Sequence, residues 1–323
     1  MPPRGIDACG SVDLVKERLL PTSRQSEQMA IDPPSPASRW LVPTQWLGER
    51  LGTAGLAIVD GSYFLPAANR DARAEYRAAH IPGAVFFDID EIADHGSGLP
   101  HMLPTPQAFA DAAGRLGIGS DMTIVVYDSV GLFSSPRVWW TLRVFGAADV
   151  YILDGGLPKW MAEGRPLAAG EEAPRPLPFI PHFNPRAVAA LADVQQALSD
   201  GSAQVVDARS KGRFRGEDPE PREGLRSGHM PGALNVPYGE LIEEGRLMDR
   251  GRLAAAFATA GADLDRPVIT SCGSGVTAAI LWFALDALGK GPSALYDGSW
   301  VEWASRRDLP IATGPSGRGS CEV

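Results

Sequence analysis

Residues 267–280 read PVITSCGSGVTAAI: a short apolar run, a cysteine among small residues, and the start of a helical pattern. The run at 268–270 is rich in β-branched residues, which favours a buried strand. Residues 278–288 have the composition of a packed helix. The stretch therefore predicts a strand, a glycine-rich turn and a helix, with Cys272 in the turn.

This turn favours a reactive cysteine. Gly273 and Gly275 let the backbone curl, so that successive N–H groups can point into one concavity. Those donors and the positive end of the following helix stabilise a thiolate at Cys272. A thiolate is a nucleophile at neutral pH and can carry a transferred sulfur atom as a persulfide anion. The alternative is a structural cysteine at the end of a strand.

Composition excludes several classes of protein. The 323 residues have room for two domains, and no stretch approaches the roughly 18 apolar residues of a membrane span. A net charge of -9 without a Lys/Arg cluster argues against nucleic acid as the main partner. Cys9, Cys272 and Cys321 show neither metal-ligand nor CxxC spacing. We expect no metal, no disulfide framework, and a reducing compartment, the cytoplasm.

The two ends of the chain differ in composition from the rest. Residues 1–38 are polar and rich in turn formers, which predicts a disordered N-terminal extension, and they lack the apolar core of a secretory signal. Our hypothesis is that Met29 is the natural start, and an endogenous peptide that begins upstream of it would refute this. Residues 314–323 predict a polar tail, in which Cys321 is an exposed thiol without a function.

An internal repeat is the strongest organisational signal in the chain. Three motifs recur in the same order at nearly one offset: IVD at 58–60 and VVD at 205–207, HIPGA at 80–84 and HMPGA at 229–233, and LDGG at 153–156 and YDGS at 296–299. Trp160 and Trp303 follow the last motif in the two halves. The chain therefore predicts two copies of one fold.

Each half alternates short apolar runs with helical stretches, which is typical of an α/β fold with a parallel sheet and crossover helices. The predicted strands are 56–59, 84–87, 123–127 and 150–153 in the first half, and 204–206, 233–236, 268–270 and 294–296 in the second. Proline-rich residues 167–185 predict an extended linker between domains at 39–166 and 186–313. In the first half, Asp128 or a neighbour replaces Cys272, so one half should be catalytic and the other supporting.

These motifs resemble the tandem-domain sulfurtransferases of the rhodanese superfamily, over nearly all of residues 39–313. The resemblance implies two tandem rhodanese-like domains, each with a central parallel sheet flanked by helices, of which only the C-terminal one carries the active cysteine. The loop CGSGVT at 272–277 is similar to that of 3-mercaptopyruvate sulfurtransferases, whereas thiosulfate-using rhodaneses have CRKGVT. Cations in the latter loop compensate the charge of the thiosulfate dianion beside a thiolate.

The same resemblance implies roles for site residues. Arg213 and Arg222 hold the carboxylate and ketone of the substrate, although a solvated charged loop is the alternative. Asp90, His101 and Ser274 polarise the substrate: Asp90 orients His101, which relays a proton through the Ser274 hydroxyl. For His101 the alternative is a loop histidine satisfied by its neighbours, and for Ser274 a turn residue. The backbone amides of the loop hold the persulfide, and its remaining members are Gly273, Gly275, Val276 and Thr277.

Several other residues receive structural roles. His80 and His229 each precede an x-Pro-Gly-Ala turn and are predicted to brace it. By resemblance, Asp207 and Arg209 support the active loop. Two tryptophans, Trp300 and Trp303, are candidates either for a pocket wall or for core packing.

The predicted function is sulfur transfer from 3-mercaptopyruvate to a thiol such as thioredoxin, a small thiol or cyanide, with release of pyruvate and without an organic cofactor. The first alternative is a thiosulfate:cyanide sulfurtransferase. A phosphatase of related architecture would need an arginine six positions after the cysteine, where this chain has Ala278. A non-catalytic sulfur carrier or interaction module is the remaining alternative, and a turnover assay would distinguish it.

Overall fold

The first half of the chain folds around a five-stranded, all-parallel sheet in the order β1-β5-β4-β2-β3. A computed structural model of the protein describes residues 38–291 and 294–316. The strands are β1 (Leu41–Val42), β2 (Leu56–Asp60), β3 (Ala84–Phe86), β4 (Thr123–Tyr127) and β5 (Val150–Leu153). The helices are α1 (Thr44–Gly48), α2 (Ala72–Ala78), α3 (Pro106–Arg115), α4 (Ser135–Val144) and α5 (Gly156–Ala162).

The second half repeats this sheet strand for strand, in the order β6-β12-β11-β7-β8. Its parallel strands are β6 (Val188–Ala189), β7 (Gln204–Asp207), β8 (Leu234–Asn235), β11 (Val268–Ser271) and β12 (Ala294–Tyr296), and β9 (Ile242–Glu243) with β10 (Arg246–Leu247) forms an antiparallel hairpin. The helices are α6 (Leu191–Asp200), α7 (Lys211–Arg215), α8 (Arg250–Thr259), α9 (Ala278–Ala287) and α10 (Ser299–Ser305). The predicted α/β fold with two copies is confirmed.

All eight predicted strands are confirmed to within one residue at each end. The sequence missed β1, β6 and the β9–β10 hairpin, each with strands of two residues. Two residues are too short to show an apolar run or an alternation, so these strands depend on the neighbours with which they pair. The predictions for the N-terminal extension, for Met29 as the start and for Cys321 fall outside the described residues.

The segment between the two sheets follows the surface of the first domain. Residues 171–184 contain neither helix nor strand. The backbone N–H of Leu177 donates to Gly114 (3.0 Å) and that of His182 to Phe145 (2.8 Å). Phe179 is buried and packs edge-on against Phe109, with ring centroids 5.3 Å apart. These contacts hold an extended segment against α3 and the end of α4, while the boundaries at 167 and 185 stay a prediction.

Helices α4 and α9 pack against each other where the two domains meet. Trp139 of α4 lies 4.9 Å from Phe283 and 5.4 Å from Trp282 of α9, measured between ring centroids. Each of these helices follows the loop at the end of its domain's middle strand. Their packing therefore brings the Asp128 loop and the Cys272 loop to the same interface.

Candidate active site

Cys272 directly follows β11, the middle strand of the second sheet, and residues 272–277 lead into α9. The predicted strand-to-helix turn is confirmed. Gly275 has a φ of 79°, a left-handed conformation that glycine adopts without a Cβ clash. Cys272 is only 2% exposed, and its backbone N–H donates to the hydroxyl of Ser299 at 3.3 Å. The cysteine is thus held firmly at the carboxyl end of the central strand.

A pocket of about 160 Å³ is lined by Cys272 and by side chains from both domains. The loop contributes Gly273, Ser274, Val276 and Thr277, the second domain adds Arg213, Arg222 and Tyr238, and the first domain adds Leu65 and Phe133. Gly275 lies in the loop but does not line this pocket. The structure therefore brings most of the sequence-predicted residues of the second domain around one small cavity.

The three residues predicted to polarise the substrate come together with a fourth, Arg222. The Nδ1 atom of His101 lies 3.0 Å from Oδ1 of Asp90. Arg222 bridges the other two: its Nη2 donates to Nε2 of His101 at 3.1 Å, and its Nη1 donates to Oγ of Ser274 at 3.4 Å. The resemblance implied that His101 acts directly on Ser274, whereas here a guanidinium lies between them.

These contacts define the protonation state of His101. Because Nε2 accepts from Arg222, the ring proton must be on Nδ1, where it can be donated to Asp90. Burial lowers the pKa of His101 below its usual 6.5, Asp90 opposes the shift, and Arg137 and Arg222 add to it. The hydrogen bond from His101 in turn lowers the pKa of Asp90. The geometry thus provides a neutral imidazole, with Tyr63 edge-on to it at 5.0 Å between ring centroids.

Arg213 is held by a buried carboxylate that sequence reasoning missed. Its Nη2 lies 2.6 Å from Oε2 of Glu220, whose side chain is 2% exposed. Glu220 also binds Arg209 at 2.8 Å, and Arg209 pairs with Asp207 at 2.7 Å. A Cβ added to Gly273 would lie 2.9 Å from Nη2 of Arg213. The guanidinium therefore covers the glycine that follows the cysteine.

Comparison with known proteins identifies both halves as members of one family. The Rhodanese-like domain family matches residues 44–163 and 190–306. The chain belongs to the rhodanese family. Its two rhodanese-like domains each have a five-stranded parallel sheet flanked by helices, and the second carries the cysteine.

Similar proteins of the family cover most of this chain. It is 46% identical to 3-mercaptopyruvate sulfurtransferase of Escherichia coli K12 over 276 residues, which is 85% of this chain and 98% of that protein. It is 43% identical to the human 3-mercaptopyruvate sulfurtransferase (83% and 93%) and 42% identical to thiosulfate sulfurtransferase of Bos taurus (83% and 93%). Overall identity therefore does not separate the two sulfur donors.

Solved structures support the rhodanese fold. The crystal structure of SseA from Escherichia coli, described as a 3-mercaptopyruvate sulfotransferase, matches with a TM-score of 0.76 and 45% identity, over 81% of this chain and 98% of that one. The Tum1 protein from Saccharomyces cerevisiae matches with a TM-score of 0.75 and 32% identity, over 84% and 97%.

Histidines in the repeated turns of the two rhodanese-like domains are buried. His80 stacks on Tyr76 at 4.3 Å and His229 on Phe214 at 3.8 Å, and each Nδ1 lies 2.8 Å from the carbonyl of that same residue. This placement supports the structural role predicted for both.

The two tryptophans of the second domain belong to its core. Trp300 and Trp303 are both buried, and the guanidinium of Arg209 lies 4.3 Å from the ring of Trp300. Both rings therefore belong to the packed core. Arg209, which also lines the pocket, pairs with Asp207 and Glu220, and the supporting role of Asp207 and Arg209 stays a prediction.

The first-domain side of the pocket was largely missed by sequence reasoning. Leu65 and Phe133 belong to none of the repeated motifs, so their place in the pocket follows only from the packing of the two domains. Glu220 offered a signal, because it is an acidic residue between Arg213 and Arg222 in the sequence; in the structure it pairs with Arg213 and Arg209.

In residues 38–291 and 294–316, no group of three or more His, Cys, Asp or Glu side chains is placed to hold a metal ion. Among the same residues, no helix is long and apolar enough to cross a membrane.

Proposed function

We propose that this protein is an enzyme that moves sulfur from 3-mercaptopyruvate to a thiol acceptor or cyanide, through a persulfide on Cys272, and releases pyruvate. One observation carries the proposal: the buried cysteine shares a small pocket with Arg213 and Arg222, while residues 272–277 contain no cation. Guanidinium groups suit a carboxylate and a ketone, which 3-mercaptopyruvate presents at the end opposite its thiol.

The first half-reaction moves one sulfur atom. The Cys272 thiolate attacks the substrate sulfur, an S–S bond forms, and the carbon–sulfur bond breaks. Its electron pair goes to the carbon, so pyruvate leaves as an enolate. The thiol proton of the substrate ends on that carbon, and Cys272 is left as a persulfide anion. No external oxidant is needed.

His101, Arg222 and Ser274 act on the substrate while this happens. Arg222 neutralises charge that builds on the ketone oxygen as the enolate forms, and Arg213, held by Glu220, binds the carboxylate. His101, neutral and kept in one tautomer by Asp90, provides a proton path beside them. Ser274 lies within reach of Arg222 and of the loop that carries Cys272. The proposed reaction thus uses His101 of the first domain together with the arginines and Ser274 of the second.

The second half-reaction returns Cys272 to the thiolate. The backbone amides of residues 273–277 hold the negative charge of the persulfide until an acceptor takes its outer sulfur. Thioredoxin, small thiols and cyanide are the acceptors we propose, and the cytoplasm is the proposed location because such thiols are reduced there.

Thiosulfate is the second candidate donor. The relative from Bos taurus is named a thiosulfate sulfurtransferase, and relatives from Arabidopsis thaliana carry both donors in their names. In this chain Gly273 and Ser274 provide no charge for a dianion beside the thiolate. Lys211 and Arg215 are the candidates to compensate for the missing loop cations, but neither of them lines the pocket.

The test is a direct comparison of donors on one preparation of the enzyme. Pyruvate and sulfide release from 3-mercaptopyruvate with a reducing acceptor is measured beside thiocyanate formation from thiosulfate and cyanide. We expect kcat/KM to be at least tenfold higher with 3-mercaptopyruvate, since one well-paired charged group contributes roughly that factor. A preference for thiosulfate would replace the proposed donor, and no turnover of either would leave a carrier module.

A further inference from the structure

A buried ion pair joins the two domains beside the pocket. Arg137 lies on α4 of the first domain, and Asp297 directly follows β12 of the second. Nη2 of Arg137 is 2.8 Å from Oδ1 of Asp297, and the two side chains are 3% and 4% exposed. A buried pair of this kind is a weak source of net stability, so its contacts with neighbouring loops are the more informative feature. The neighbours in this case are two loops of the candidate active site.

Both partners of the pair bind the loop that carries His101. Nη2 of Arg137 donates to the carbonyl of His101 at 2.5 Å. Oδ2 of Asp297 accepts from the backbone N–H of Leu103 at 2.7 Å. On its other side, Nη1 of Arg137 donates to the carbonyl of Gly275 at 3.3 Å, in the cysteine loop. One ion pair therefore fixes the histidine loop relative to the cysteine loop.

His101 needs such support because its backbone is strained. Its φ is 62°, in the left-handed region that residues with a Cβ rarely adopt. Strain of this kind persists only where the surrounding structure holds it. The contacts to the His101 carbonyl and to the Leu103 N–H lie on either side of the strained residue and provide that hold.

We propose that Arg137 and Asp297 are positioning residues that keep the imidazole of His101 on Arg222 and, through it, on Ser274. This inference rests on the proposed sulfur transfer, in which that contact acts on the substrate. Neither residue lines the pocket, so neither touches the substrate.

The chain supplies a matched control. Asp154 holds the position in the first domain that Asp297 holds in the second, because both belong to the repeated Asp-Gly motif. It pairs with Arg246 of the second domain at 2.5 Å, so this pair also joins the two domains. Arg246 and Asp154 do not line the pocket. Arg246 is half exposed whereas Arg137 is buried, so loss of this pair tests the loss of a more solvated interdomain contact.

The experiment compares Asp297→Asn with Asp154→Asn. Single-turnover pyruvate release from 3-mercaptopyruvate and steady-state kcat and KM are measured, and circular dichroism confirms the fold of each variant. For D297N we expect kcat to fall by about tenfold or more with KM changed less than about threefold, as for a misplaced catalytic group. For D154N both should stay within about twofold. An equal loss in the two variants would overturn the proposal.

A double-mutant cycle with His101→Ala separates positioning from general damage. If the pair acts through His101, D297N should add less than about twofold to the defect of H101A. Independent, multiplying defects would overturn the inference. Should D297N fail to fold, Arg137→Lys, which keeps the charge but loses the forked donors, replaces it in the same cycle. No turnover by the unmodified enzyme would refute the proposed function and the inference together, whereas turnover with independent defects would refute the inference alone.

Discussion

The loops at Asp128 and Cys272 lie at equivalent places of the two sheets but carry different side chains at their centre. Asp128 is fully buried, and its carboxylate accepts hydrogen bonds from the Ser135 hydroxyl and from five backbone N–H groups. Those N–H groups belong to residues 130, 131, 133, 134 and 135, at 2.8–3.0 Å. In the second domain the corresponding loop surrounds a sulfur atom and a pocket. In the first domain this turn binds negative charge, which its own Asp128 side chain supplies. We expect the equivalent turn of the second domain to bind the negative charge of the proposed persulfide on Cys272.

The two domains also cover each other's loop. The hairpin tip of the second domain closes the Asp128 loop, where a Cβ on Gly131 would lie 2.6 Å from the carbonyl oxygen of Gly245. The His101 loop of the first domain approaches the Cys272 loop in the reverse direction. His101 and Glu244 both have left-handed φ values, 62° and 50°, and are separated in sequence by as many residues as Trp160 and Trp303. Each domain thus covers a loop of the other: the second domain covers the Asp128 loop, and the first domain brings His101 to the candidate active site.

The largest effect should come from replacing the sulfur. Cys272→Ser keeps the size and burial of the side chain but lacks the nucleophile, so we expect sulfur transfer to be abolished with little change in the free energy of unfolding. Pyruvate release and intact-protein mass after incubation with 3-mercaptopyruvate measure this. The unmodified protein should become one sulfur atom heavier, and C272S should not. Any turnover by C272S would refute the persulfide scheme.

The converse change in the first domain should affect stability and not chemistry. Asp128→Ala leaves five buried N–H groups without an acceptor, so we expect the free energy of unfolding to fall by at least about 3 kcal/mol. Urea unfolding measures this, and kcat of the protein that remains folded should stay within about threefold of the unmodified value. Asp128→Asn, which keeps one acceptor oxygen, is the matched control and should lose less stability. A stable, inactive D128A would mean that the first loop takes part in the reaction.

The smallest effect concerns the pH dependence of the His101 loop. Burial lowers the pKa of His101 below 6.5, so the folded protein releases that proton more readily than the unfolded chain. The part of the unfolding free energy that depends on a neutral His101 ring is therefore fully present above pH 6.5. It is lost as the pH falls through the pKa that His101 has in the folded protein, which lies below 6.5. We expect kcat to decline only below pH 6.5.

A single substitution sharpens this prediction. Asp90→Asn removes the carboxylate that raises the pKa of His101, so the acidic limb of the kcat profile should move to lower pH. Asp94→Asn, an exposed carboxylate in the same loop that accepts from Gly96, is the control and should leave the limb in place. A limb that moves to higher pH in D90N would contradict the assignment of the titration to His101.

Much of the fold could be predicted because its signals are local. Strands such as β4 and β11 each contain a run of apolar or β-branched residues, since a central parallel strand is covered on both faces. The repeated motifs revealed two copies of one fold. The edge strands β1 and β6 were not predicted, because a strand of two residues is too short to show a hydrophobic pattern. For the site, the resemblance named Asp90, His101, Ser274 and the two arginines, but not the Arg222 bridge, which depends on contacts across the domain interface.

Two features followed from local patterns in the sequence: the repeated α/β fold and the glycine-rich turn around Cys272. Hydrophobic periodicity and the placement of glycines act over a few neighbouring residues, so both can be recognised without the structure. Tertiary structure decided which residues of the two copies meet across the domain interface. The pairing of Arg137 with Asp297 and the closure of the Asp128 loop by Gly245 join residues of different domains. Local patterns do not encode such contacts, because they form only when packed helices and sheets bring charged groups together out of water.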